Sequence, residues 1–181
     1  MLFRSGLPVT AAIDMMDCDE NSLYFLTAKG KDFYDRDLDN TTDFFIGAVA
    51  NPAMDDVAKE ASKVCDKIAS GVHFFQTQPV YSLAQVERFE VEMKKQMPEK
   101  QVPFIYGIMP VKSVKQAQYL NNNVPGVHVP DEMIAVLERD GAAGGMKYLL
   151  NLVRELQPHV AGIHIFPMRD YTLARQIIEV L

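Results

Sequence analysis

Four short apolar runs constrain the fold of this chain more than any other feature of its sequence. They occupy residues 44–50, 72–78, 103–109 and 160–166. The first three begin roughly 30 residues apart, which is the length of one strand-plus-helix unit. Their apolar residues are nearly continuous, a pattern typical of strands that are covered on both faces. The sequence therefore predicts an α/β protein built on a parallel sheet.

The segment after the first run carries the signals of a helix. Asn51 predicts an N-cap, and Pro52 suits the first helical turn because its missing N–H costs nothing there. Gly71 predicts the end of this helix. The apolar positions between them recur at helical spacing and predict one buried stripe, which consists of Val57, Ala61, Val64, Cys65 and Ile68.

Capping-box patterns follow the second and third runs. Ser82 pairs with Gln85 in one of them, and Ser113 pairs with Gln116 in the other. The second of these helices is expected to continue to the break at residues 121–123. Because each cap comes directly after a run, the connections from strand to helix are predicted to be short.

Two parts of the chain can be distinguished. Residues 1–42 form an N-terminal segment with an acidic turn, a possible helix and a charged loop. Residues 43–181 hold four βα units, with late helices over 149–156 and 173–181. Four such units amount to half of an eight-stranded barrel or to a small open sheet. Their two exposed sheet edges would need a cover, so a complementing half-barrel chain or a homo-oligomer is expected.

The charge balance and the cysteines exclude several kinds of protein. Lys and Arg total 18 against 24 Asp and Glu, without the clustered cations that nucleic-acid binding requires. No apolar stretch approaches the roughly 20 residues of a membrane span, and the start lacks a signal-peptide pattern. The two cysteines cannot form a disulfide framework or a four-thiolate metal site. We therefore expect a cytoplasmic protein with reduced thiols and no metal.

The ends of the predicted strands carry the residues of most chemical interest, because parallel α/β proteins bind ligands beyond the carboxyl ends of their strands. Gln78 suits the edge of a heteroaromatic ring, or it bonds nearby backbone. Lys63 and Lys67 lie one turn apart on the polar face of the first helix. They could approach an anionic ligand or simply be solvated. His73 and His164 fit hydrogen-bonded core positions better than ligand positions.

Five motifs occur in a fixed order along the chain. They are TDFFIGAVANP (42–52), QTQPVY (76–81), GIMPVKS (107–113), NNNVPGVHVP (121–130) and AGIHIFPM (161–168). Taken together, they resemble the C-terminal half of the methylenetetrahydrofolate reductase family. The resemblance covers about residues 13–181. Agreement of five separate motifs makes an unrelated α/β protein a poor alternative.

The resemblance implies a fold, a reaction and substrate contacts. The fold would be the C-terminal half of a TIM (β/α)8 barrel that holds FAD at the carboxyl ends of its strands. The reaction would reduce 5,10-methylenetetrahydrofolate to 5-methyltetrahydrofolate, with NADH or NADPH as electron donor. It belongs to tetrahydrofolate interconversion in one-carbon metabolism and methionine biosynthesis. Gln78 matches the glutamine that contacts the folate pterin, and Arg169 matches a folate-holding arginine displaced by one position.

The resemblance also implies residues for FAD. Lys67 matches a helix lysine near the FAD phosphates, where a fixed cation offsets phosphate charge. Lys63 is a weaker candidate of the same kind. Asn51 and Asp55 fall in the loop that lines the flavin site of the family.

One departure from the family bears on catalysis. The family's first four strands supply an acidic residue that assists protonation of folate N5, and this sequence has no counterpart. The catalytic residues are therefore unknown. Two functions fit the sequence: a reductase that is truncated or split between chains, and a folate-binding or scaffold partner without catalysis.

Overall fold

Strands and helices alternate along the chain. A computed structural model describes residues 36–37, 45–99 and 102–180. The strands are β1 (Gly47–Ala50), β2 (Phe74–Pro79), β3 (Phe104–Ile108) and β4 (Gly162–Ile165). The helices are α1 (Val57–Ala69), α2 (Leu83–Gln96), α3 (Val114–Asn123), α4 (Asp131–Leu156) and α5 (Tyr171–Ile178).

The four strands form one parallel sheet in the order of the chain, β1-β2-β3-β4. Each predicted apolar run contributes one strand. The expected α/β class, with parallel βα units that make up half of a TIM barrel, is therefore confirmed. The predicted boundary between residues 42 and 43 lies outside the described residues and stays a prediction.

One face of the sheet packs against the helices. Phe75 lies at the centre of this layer, fully buried between β1, α1 and α2. Its ring stacks on Phe104 at 5.1 Å, and the Phe89 ring meets Phe104 edge-on at 5.3 Å. Further along, Tyr106 and Ile108 are buried against α3 and α4. Burial of large rings dominates the energetics of such a layer.

The opposite face, called the inner face below, follows from the strand register. Val49, Gln76, Ile105 and Gly162 lie side by side across the sheet, and His164 follows two residues later on β4. In a closed barrel this face lines the interior. Here these residues are only partly buried, and Val49 is 38% exposed. Both faces were expected to be covered, but the described helices cover only one.

The start of α1 differs from the prediction. Asn51 does not cap a helix at Pro52; the helix begins at Val57, and the Asp56 carboxylate caps it by accepting from Lys59 N at 3.0 Å. The Asn51 side chain instead accepts from Ala53 N at 3.2 Å. Asparagine side chains stabilise such turns as readily as helix starts, so the residue type alone misplaced the cap.

The predicted N-caps of α2 and α3 are confirmed. Ser82 and Gln85 form the predicted capping box of α2. Ser113 caps α3 by accepting from Gln116 N at 3.2 Å, but the Gln116 carboxamide accepts from Lys112 N instead of from Ser113 N. The helix α3 continues through residues 121–123 instead of stopping before them.

The long helix α4 bends at Gly141, whose φ of 60° is not helical. Beyond the bend, a Cβ on Gly145 would lie 2.7 Å from Val111 O, so the missing side chain lets α4 approach the loop after β3. Gly145 is therefore required by helix packing. No helix within the described ranges is long and apolar enough to cross a membrane.

Candidate functional site

All four strands end at the same edge of the sheet because they are parallel. The rim, as the term is used below, consists of the end of β2 with the turn after it (77–82) and the segments after the other three strands (51–56, 109–113 and 166–170). Ligands of parallel α/β proteins bind at this edge. The sequence-derived candidates Asn51, Gln78 and Arg169 therefore share one side of the molecule.

A β-bulge interrupts the ladder near the end of β2. Gln76 pairs with Ile105, but Pro79 pairs with Gly107, so β2 carries one residue more than β3 over this stretch. The extra residue falls within Thr77–Gln78, called the β2 bulge below. Bulges redirect a side chain and are common next to functional sites.

Hydrogen bonds of the Thr77 and His164 side chains take the place of ladder bonds at the β2 bulge. The Thr77 hydroxyl, which is 2% exposed as a residue, accepts from Gly107 N at 3.0 Å and donates to Gln78 O at 2.8 Å. The Thr77 carbonyl accepts from His164 Nε2 at 2.9 Å. Sequence reasoning overlooked Thr77, although a threonine between two glutamines at a strand end was a signal.

Gln78 is half-buried at the end of β2. Its carboxamide has no hydrogen bond to another residue in the part of the chain that the structure describes. A carboxamide offers two donors and one acceptor, and half-buried amides normally have partners. The side chain is therefore available to a ligand at the rim.

His164 lies beside Gly107 on the neighbouring strand. Its ring also contacts Phe166, at 4.8 Å between ring centroids. Burial lowers the pKa of His164, and the bond to Thr77 O opposes this only partly. The neutral ring must carry its proton on Nε2, because a carbonyl only accepts.

Lys63 and Lys67 do not share a solvated face. The Lys63 side chain is 52% exposed and lies 3.5 Å from Glu60 Oε2. Lys67 is 6% exposed and donates from Nζ to Val49 O at 3.0 Å. The prediction of a polar face is therefore wrong for Lys67, which packs against β1.

Glu60 is a site residue that sequence reasoning missed. It is 7% exposed, and its Oε1 accepts from Asn51 N at 2.8 Å. The bond fixes the first turn of the loop between β1 and α1. A glutamate next to Ala61 on the predicted apolar stripe was the available signal.

Cys65 of the same stripe is half-buried, and burial, followed by the charge of Asp66, raises the pKa of its thiol.

A cleft of about 390 Å³ opens between the β1–α1 loop and the connection from α3 to α4. Asp55 and residues 121–128 contribute to its walls. Asn51 lies behind it, since a Cβ on Gly126 would collide with Asn51 Nδ2. Asn51 and Asp55 are thus brought together, whereas Gln78 and Arg169 do not line this cleft.

The turn after β4 holds Arg169 in an uncommon conformation. Met168 and Arg169 both have positive φ, at 47° and 63°. Such strain in residues other than glycine persists only where the surroundings enforce it. Asp170 supplies that support, because it caps α5 through Thr172 N and Leu173 N and pairs with Lys112 Nζ at 2.6 Å. The Arg169 side chain is exposed at the rim.

Four βα units with a polar rim at the carboxyl ends of their strands define the class: this is half of a βα barrel. A family model described as methylenetetrahydrofolate reductase matches residues 38–181. The chain belongs to the methylenetetrahydrofolate reductase family, and the resemblance inferred from its motifs is confirmed.

A solved structure is also similar to the chain. It is described as an uncharacterized protein from Clostridium thermocellum that binds two copies of 5-methyl-5,6,7,8-tetrahydrofolic acid. The identity is 22% and the TM-score 0.57, over 76% of this chain and 52% of the other. This chain therefore spans about half the length of that protein. No curated protein matches the chain.

Replacing Glu60 tests its support of the β1–α1 loop. Glu60→Ala leaves the Asn51 N–H without its acceptor and is expected to lower the free energy of unfolding by about 1–3 kcal/mol. Glu60→Gln keeps an acceptor oxygen and is expected to lose less. Urea denaturation measures both, with the exposed Glu87→Ala as control. Equal losses in Glu60→Ala and Glu87→Ala would contradict this role.

The pair between Lys112 and Asp170 makes a prediction about pH. The hydrogen bond from Lys112 is the first cause that lowers the pKa of Asp170. Lys112→Met is therefore expected to raise that pKa toward its ordinary value, as followed by carbon-detected NMR titration. Because the folded-state pKa is depressed, the pair stabilises the fold above the unfolded carboxyl pKa. That contribution is lost as the pH falls through the folded-state pKa.

The exposed Lys115→Met is the control for Lys112→Met. It removes a lysine charge from α3 without touching Asp170. An equal shift of the Asp170 titration in both variants would show that general charge, and not the direct pair, sets the pKa.

Proposed function

We propose that this chain supplies the folate-binding half of a reductase of its family. The observation that carries the proposal is the Gln78 carboxamide, which stands at the β2 bulge without a partner among the described residues. A pterin ring presents hydrogen-bond donors and acceptors along one edge, and a carboxamide can form hydrogen bonds with both. The C. thermocellum protein, which binds 5-methyltetrahydrofolate, lends support from the same fold.

Arg169 is the second substrate residue that we propose. Folates end in carboxylates, and a guanidinium binds a carboxylate through two parallel hydrogen bonds. The strained turn and the Lys112–Asp170 pair hold the backbone that carries this exposed side chain. Gln78 would then fix the ring of the folate, and Arg169 its anionic end.

The residues predicted for FAD, namely Asn51, Asp55, Lys63 and Lys67, stay proposed cofactor residues, and two of them have charges that are met within the chain. The Lys67 ammonium is buried against Val49 O, and Lys63 lies beside the Glu60 carboxylate. Asp55 and Asp56 add two exposed acids to the same loop. We therefore propose that these four residues contact FAD together with groups that further strands supply.

We further infer that reduction of 5,10-methylenetetrahydrofolate with FAD and NADH or NADPH requires an assembly in which more strands complete the rim. The partly exposed inner face supports this, since a barrel interior is normally filled. A complementing chain or a second copy of this chain would supply the strands. The alternative, a folate-binding partner without catalysis, would use the same Gln78 contact.

Substitution of Gln78 tests the proposed folate site. Gln78→Ala removes the hydrogen bonds to the pterin and is expected to weaken 5-methyltetrahydrofolate about tenfold, which corresponds to about 1.4 kcal/mol. Isothermal titration calorimetry on the purified chain measures this, with the exposed Gln118→Ala on α3 as control. Unchanged affinity in Gln78→Ala would refute the assigned contact.

Turnover assays separate the two functions. The purified chain is expected to bind 5-methyltetrahydrofolate without reducing 5,10-methylenetetrahydrofolate, because the four described strands form only half of a barrel rim. NADH-dependent reduction and a flavin absorbance band are expected only after cell extract is added. Turnover by the purified chain alone would contradict the need for further strands. Folate binding without turnover under either condition would favour the non-catalytic alternative.

A further inference from the structure

We propose that His164 is a positioning residue that orients Gln78 from two strands away, through the Thr77 carbonyl. The binding experiments that test this inference rest on the proposed function. It starts from the β2 bulge, where β2 has one residue more than β3. An extra residue breaks the regular ladder and leaves backbone groups in need of other partners.

Two side chains supply those partners. Gly107 N donates to the Thr77 hydroxyl at 3.0 Å, and His164 Nε2 donates to the Thr77 carbonyl at 2.9 Å. Leaving one such buried group unpaired costs more than a typical hydrogen bond contributes to stability. The bulge therefore depends on a threonine within β2 and on a histidine that comes from β4.

Gly107 makes the reach of His164 possible. It pairs with His164 in the register between β3 and β4, and β3 separates β4 from β2. A Cβ on Gly107 would lie 2.7 Å from Thr77 O, and 2.9 Å from both His164 Nε2 and Phe166 Cε2. The imidazole thus occupies the space above β3 that a side chain would otherwise take.

The bonded carbonyl belongs to the peptide that joins Thr77 to Gln78. Because that peptide is planar, fixing its oxygen also fixes the direction of the Gln78 N–Cα bond. The remaining rotation about that bond sets where the Gln78 side chain points. Thr77 adds a second restraint, since its hydroxyl donates to Gln78 O. His164 therefore acts on the ligand through Gln78, without a contact of its own being required.

Two variants of His164 separate the donated hydrogen bond from ring packing. His164→Phe keeps a ring but lacks the donor, and it is expected to weaken 5-methyltetrahydrofolate about tenfold, as Gln78→Ala does. His164→Gln places an amide N–H near the position of Nε2 and is expected to stay within about threefold of wild type. The exposed His159→Phe, which follows α4, is the control. Circular dichroism shows whether each variant is folded.

A double-mutant cycle tests whether the effect passes through Gln78. In the Gln78→Ala background, His164→Phe is expected to cause no further loss, because coupled residues are not additive. A second full loss in the double variant would overturn the inference. So would wild-type affinity in His164→Phe, or a loss in His164→Gln as large as in His164→Phe.

An NMR measurement without ligand distinguishes failure of this inference from failure of the proposed function. Imidazole ¹³C and ¹⁵N shifts of the wild-type chain at neutral pH are expected to show the neutral Nε2–H form of His164. A neutral Nδ1–H form would overturn the inference whatever the chain binds. If wild type does not bind 5-methyltetrahydrofolate but the Nε2–H form is present, the proposed function fails and the link from His164 to Thr77 stands.

Discussion

The hydrogen bond between His164 and the Thr77 carbonyl connects most of what is distinctive at the rim. Parallel ladders are evenly spaced, so one additional residue in β2 cannot be absorbed without help from outside the strand. The histidine on β4 provides that help across Gly107. The placement of Gln78 thus depends on three strands at once, and the sheet acts as a single scaffold for the proposed substrate contact.

Charges at the rim are largely compensated within the chain. Glu60 lies beside Lys63, Asp170 pairs with Lys112, and the Lys67 ammonium meets a backbone carbonyl. A neutral carboxamide at Gln78 and an exposed guanidinium at Arg169 contrast with these pairs. Such a combination suits a ligand with a neutral ring at one end and an anionic group at the other, which is how a folate is built.

Periodic features of the sequence predicted the architecture well. The spacing of apolar runs gave the four parallel strands, and capping patterns placed the starts of α2 and α3, because both signals depend on local chemistry. The predicted N-cap at Asn51 was wrong because an asparagine side chain stabilises turns and helix N-termini equally well. The prediction for Lys67 was wrong and Glu60 was missed, because the burial of both side chains depends on how α1 packs against β1. The β2 bulge could not be predicted from the sequence, because it depends on how two strands pair and not on the residues of either strand alone.

Gly107 illustrates how one absent side chain can constrain a distant position. The space above it is filled by the Thr77 carbonyl and by the imidazole that bonds it, so alanine at 107 would collide with both groups. Relatives that keep the histidine link are therefore expected to keep glycine at the facing position as well. Such a paired pattern would identify other chains with the same bulge from sequence alone, where neither residue by itself is informative.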